Sequence, residues 1–189
     1  MKKALLPVLA AALLLTACGV GPKPMPPVGN YDFGLADATA PRLALKNIAQ
    51  VEVSAPRWLD TVSLYYRLAY ADANQPRAYT QTKWVMPPPN LVEARMKERA
   101  VAGGAVVGGA GPILRVELDE FSQVFTSATE SKAVLRARVT MITTRDVLKQ
   151  KAFVVEQAAT SADGPGGAAA LKRAAESFVD TALAWAGAQ

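Results

Sequence analysis

The chain has 189 residues, 51% hydrophobic and 20% charged, with a formal net charge of +5, one cysteine and no histidine. Without histidine there is no Ser-His-Asp triad, no histidine metal site and no histidine general base. A lone thiol excludes an internal disulfide, and so modest a charge, with no dense Lys/Arg block, excludes an electrostatic nucleic-acid binder.

Met1-Lys2-Lys3 gives the chain a basic start, and Ala4 to Leu15 is apolar apart from the backbone break at Pro7. As a helix that run rises only about 18 Å, too short for roughly 30 Å of hydrocarbon. Leu15-Thr16-Ala17 then sets small residues directly before Cys18. Basic, apolar, small and cleavage segments in that order make a secretory signal over residues 1–17. Leu-Thr-Ala-Cys resembles the lipobox of bacterial lipoproteins. The resemblance implies diacylglycerol on the Cys18 thiol, cleavage before it and acylation of the new amine. Two or more chains anchor a protein stably, where one holds it marginally. Gly19 follows Cys18. By the same resemblance, the absence of aspartate there implies the inner leaflet of a Gram-negative outer membrane, facing the periplasm.

Residues 18–30 carry the lipidated cysteine and a tether containing Pro22, Pro24, Pro26 and Pro27. Such a segment is semi-extended, and at about 3.1 Å per residue it spans roughly 30–40 Å. Residues 31–189 read as one domain. Tyr31 to Leu35 alternates like a short strand, and Ile48 to Ser54 reads as a second. Leu64, Tyr66, Leu68 and Tyr70 share a face of a third. Turn chemistry at Asp72-Ala73-Asn74-Gln75-Pro76 then leads into a fourth strand, Ala78 to Trp84. Asn90 and Glu93 have the spacing of a capping box. They predict a helix from Leu91 to about Ala102, with an apolar stripe of Val92, Met96 and Ala100, ended by Gly103-Gly104. The glycines from Gly103 to Gly111 lack the Lys-Ser/Thr ending of a phosphate loop.

Leu114, Val116 and Leu118 alternate with charged residues, and Phe121, Gln123 and Phe125 continue on the opposite parity. That phase change predicts a bulge near Asp119-Glu120. Leu135, Ala137, Val139 and Met141 line one face of the next strand. Thr144-Arg145-Asp146 turns it into Val147 to Gln157. The segment Ala162 to Gly167 reads as a break. Leu171, Ala174, Ala175, Phe178, Ala182 and Trp185 then form a helical stripe. Strands, helix, strands, helix, with tight turns between paired strands, predict an α+β two-layer sandwich: a mostly antiparallel sheet with two helices on one face.

Catalytic constellations fail on inventory, so no enzyme, no metal site and no cofactor beyond the acyl groups on Cys18 is expected. Asp119 and Glu120 are adjacent and point to opposite faces of a strand, which rules out a glycosidase pair there. No Ser-x-x-Lys occurs. Trp58 lies two residues after Pro56, in the loop position of an interface anchor, and Trp58-Leu59-Asp60 is the candidate partner surface.

Ala55-Pro56, Trp58-Leu59-Asp60, Tyr66-Arg67-Leu68, Tyr79 and Trp84 before Pro87-Pro88, and Phe121-Ser122-Gln123-Val124-Phe125 occur in that order. With the hairpin to Phe153 and the Ala-rich last helix ending in Trp185, this series resembles the ABC-type transport auxiliary lipoprotein family over about Tyr31 to Trp185. The resemblance implies a non-catalytic subunit that docks a periplasm-spanning MCE-domain protein, itself paired with inner-membrane transporter components that move phospholipids or other hydrophobic molecules. A docking subunit needs an exposed patch or an oligomeric ring, and a homo-oligomer is expected. The alternative is a carrier whose own domain holds an acyl chain, which needs a sizeable apolar pocket.

Overall fold

The computed structural model describes residues 27–36, 47–143 and 146–189. The signal segment, Cys18, most of the tether and the Thr144-Arg145 turn lie outside the described residues. Within them the elements are β1 (Gly29–Tyr31), β2 (Gln50–Ser54), β3 (Ser63–Leu68), β4 (Asp72–Trp84), α1 (Pro88–Ala102), β5 (Ile113–Phe125), β6 (Ser131–Ile142), β7 (Val147–Ala158) and α2 (Gly164–Gly187).

The strands form one sheet in the order β1-β4-β3-β5-β6-β7, with β2 also paired to β5. The long hairpin pairings β5–β6 and β6–β7 are antiparallel, as is β3–β4. The short pairings β1–β4, β2–β5 and β3–β5 are parallel. Helix α2 packs across β4 to β7, while α1 packs on β2 and against α2. The result is the α+β arrangement that the order of elements predicted.

Period-two patterning explains the sheet core. Leu114, Val116 and Leu118 are buried on β5, and after the bulge so are Phe121, Gln123 and Phe125. The β5–β6 register slips between Leu118 and Glu120, leaving Asp119 as the extra residue. The bend lets β5 hold two partners along one edge: β2 beside Ile113–Glu117 and β3 beside Ser122–Phe125. Leu135, Ala137, Val139 and Met141 meet the α2 residues Leu171, Ala174, Ala175, Phe178 and Ala182 in one core. Trp185 completes the stripe edge-on to Phe153 at 6.0 Å. On α1, Val92, Met96 and Ala100 are buried as expected.

Five boundaries depart from the sequence reading. The first strand ends at Tyr31, because Gly34 takes a positive φ of 62° and Asp32 Oδ1 accepts its N–H. That strand instead starts at Gly29, so Gly29 and Asn30 leave the tether and pair with Thr82 and Lys83. The expected turn at 72–76 is strand. The chain reverses at Ala69–Ala71, and residues 73–76 bulge between the pairs Leu68–Asp72 and Tyr66–Arg77. Pro76 is tolerated because it lies in this bulge, paired neither with β3 nor with β1, so no ladder hydrogen bond is lost there.

Helix α1 starts at Pro88 with Pro87 as its cap, and no side chain caps it. Pro88 and Pro89 occupy positions whose N–H groups have no helical partner, so the Asn90–Glu93 box is not used. Glu93 instead accepts the Val53 N–H. Helix α2 starts at Gly164 with Asp163 as N-cap, whose carboxylate accepts the Gly166 N–H at 2.8 Å. Its glycines belong to the helix because they pack closely, as described below.

Candidate partner-docking site

Pro56 folds the 55–62 loop into a turn, its carbonyl accepting the N–H groups of Leu59 (2.8 Å) and Asp60 (3.1 Å). The three candidate residues then part company. Leu59 is fully buried in the core and offers no surface to a partner, which corrects its place among the interface residues. It anchors the loop from beneath. Asp60 is exposed, and Trp58 is half-buried.

Trp58 meets Tyr65 edge-on, with centroids 5.3 Å apart, and the Arg67 guanidinium lies 5.3 Å over the indole. Tyr65 and Arg67 are two apart on β3 and share a face. Tyr65 stands beside Ser122, whose neighbours Phe121 and Gln123 point into the core. The cluster therefore sits on the sheet face away from the helices. Arg67 is held on three sides: its Nη2 lies 2.8 Å from Glu120 Oε2, its Nη1 donates to the Ala73 carbonyl, and Trp58 lies beneath it. Fixing the guanidinium fixes the indole, since cation–π contact and ion pair share one rigid fork. Glu120 Oε1 and Ser122 Oγ are buried without a partner beside this group. The arrangement is a pre-set aromatic platform, with its one carboxylate already engaged by Arg67.

Sequence reasoning placed Trp58 in a loop but missed Tyr65, Arg67, Glu120 and Ser122. The available signal was the phase change at Asp119, which turns Glu120 and Ser122 to the open face.

On the helix side, a second polar group ties β4, β5 and β6 together beneath α2. Tyr79 OH donates to Gln123 Oε1 at 2.9 Å, and Gln123 Nε2 donates to Ser131 Oγ at 2.7 Å. Burial, with the nearby Tyr66 and Asp163 contributing, raises the Tyr79 phenol well above its ordinary value, so it stays a hydrogen-bond donor. Tyr66 stacks at 4.6 Å on Tyr79 and 5.8 Å from Phe125. The Phe-x-Gln-x-Phe segment thus has a structural reason: its phenylalanines enter the core and its glutamine bridges three elements.

Among the described residues, no group of three or more His, Cys, Asp and Glu is placed to hold a metal, and no helix is long and apolar enough to cross a membrane.

No family model matches the chain, and neither does any curated protein. Solved structures do share its fold. The crystal structure of protein XCC0632 from Xanthomonas campestris, assigned to DUF330, superposes with a TM-score of 0.73 at 16% identity, covering 83% of this chain and 94% of that one. A second crystal structure, of an uncharacterized protein, gives a TM-score of 0.62 at 12% identity, covering 85% and 97%.

Proposed function

We propose that this chain is a periplasmic lipoprotein anchored in the outer membrane by Cys18, serving as the auxiliary docking subunit of an MCE-type intermembrane lipid transport system. The observation that supports the reading is the fold match to a DUF330 protein over 83% of this chain. PqiC-like lipoproteins belong to DUF330, and the same lipoprotein family is reached independently from the residue series Trp58 to Trp185. The mechanism is positional. Acyl chains hold one end of a proline-rich tether, and the domain at the other end presents Trp58 to a protein that spans the periplasm. No catalysis, metal or nucleic acid enters the scheme.

The rigid seat of Trp58 supports its role as anchor. A half-buried tryptophan already ordered by Tyr65 and Arg67 loses little further rotamer freedom on binding, and buried aromatics dominate interface energetics. Trp58→Ala is expected to weaken capture of the MCE-domain partner by about 2 kcal/mol, roughly thirtyfold, while the thermal unfolding of the domain shifts only slightly. Capture measured on immobilised protein checks this. Unchanged capture by a folded variant would remove Trp58 from the interface.

A further inference from the structure

The ion pair beneath Trp58 is a poor one for stability. Both of its bonds fall on one oxygen: Arg67 Nε and Nη2 approach Glu120 Oε2 at 3.1 and 2.8 Å. The other oxygen, Oε1, is buried and has no partner among the described residues, and the same holds for Ser122 Oγ on this face of β5. The Arg67 and Glu120 side chains are only 17% and 16% exposed. Taking two charges out of water and stranding two oxygens leaves such a pair no more stabilising than two apolar side chains of similar bulk.

A more exposed alternative stands beside it. The register sets Arg136 of β6 directly opposite Glu120, and Arg136 is exposed. No ion pair joins these two among the described residues. The carboxylate turns instead toward β3 and the arginine that lies over the indole. The bulge at Asp119 is what brings Glu120 to this face of the sheet, and re-aiming a side chain is a recurrent use of bulges.

We infer that Arg67 and Glu120 are positioning residues for Trp58, kept for the orientation of the indole rather than for the stability of the domain. Arg67 is the link. Its guanidinium lies 5.3 Å over the indole, while Glu120 and the Ala73 carbonyl fix its plane. A flexible apolar side chain in its place would touch the indole without holding it at one angle. Neither residue needs to meet a partner. They hold Trp58 in one orientation before binding, which removes an ordering cost from association. The positioning is a property of the free chain; its consequence for capture rests on the docking reading above.

The test replaces the pair by apolar side chains, R67M/E120L, in the full acylated chain in detergent. The chain has three tryptophans, so 5-fluorotryptophan labelling gives one fluorine resonance for each, and W58F assigns that of Trp58. In R67M/E120L the Trp58 resonance should move toward that of free 5-fluorotryptophan, while those of Trp84 and Trp185 stay. The unfolding temperature should equal or exceed the native one. A merely structural ion pair predicts the reverse. An unmoved Trp58 resonance, or an unfolding temperature well below native, would each overturn the inference. Capture of the MCE-domain partner should fall about tenfold in R67M/E120L, and in a W58A background the same pair of changes should weaken it no further. Undiminished capture by R67M/E120L, where W58A does weaken it, would also overturn the inference. If W58A leaves capture unchanged, the docking reading fails, and the fluorine resonances and unfolding temperature still decide the positioning.

Discussion

Gly167→Ala should destabilise the domain by about 3 kcal/mol, as overpacking compounds a broken hydrogen bond. A methyl group at Gly167 would collide with Gln123 Oε1 and lie 2.7 Å from Gln123 Cδ. Gln123 has nowhere to retreat: it is fully buried, its oxygen accepts from Tyr79 and its nitrogen donates to Ser131. Either α2 lifts from the sheet or the amide rotates away and strands its two half-buried polar partners. For a domain of this size the melting temperature should fall by about 6–12 °C. A double-mutant cycle separates this from a loss of helix capping. Gln123→Ala removes the obstacle, so Gly167→Ala should cost far less in that background, with a coupling of about 1–3 kcal/mol. A fall below about 0.5 kcal/mol in the single variant would show that α2 does not sit as closely as described.

Cys18→Ala should abolish attachment to the outer membrane. The anchor is all-or-none because nothing else described in the chain replaces it: no helix among the described residues can cross a membrane. Acyl burial contributes about 0.8 kcal/mol per methylene, and it takes more than one chain to hold a protein stably. Without the thiol, no diacylglycerol is added. The chain should then appear in the soluble periplasmic fraction, or persist uncleaved at the inner membrane. Fractionation with radiolabelled palmitate reads both outcomes. Undiminished attachment of a cleaved chain to the outer membrane with no palmitate label would remove the lipobox from the account.

What could be read from the residues divides along physical lines. The strands from Leu114 to Ala158 and the stripe on α2 each bury one face of a regular element, so their periodicity carries the structure. Even the bulge at Asp119 was visible, as a change of phase. Features set by remote neighbours were not. Gly164 and Gly167 look like a chain break, yet they are helical, and a side chain at either would strike Thr82 or Gln123 from the sheet. Asp72 to Pro76 carries turn residues but lies in an edge strand, where missing pairing costs little. The parallel pairings of β2 and β3 with β5 join segments far apart in sequence and leave no local mark. The candidate site divides in the same way. Trp58 could be placed in its loop, whereas burial of Leu59 and the seat made by Tyr65, Arg67 and Glu120 follow from sheet register alone.

Docking and carrying make opposite demands on the domain, and native mass spectrometry of the acylated chain extracted from its own envelope separates them most directly. Docking predicts a particle in which this chain is bound to a larger periplasm-spanning protein, with no stoichiometric lipid beyond the acyl groups on Cys18. The chain released without such a partner, with one non-covalent lipid in each domain, would contradict the account and make the domain itself the carrier.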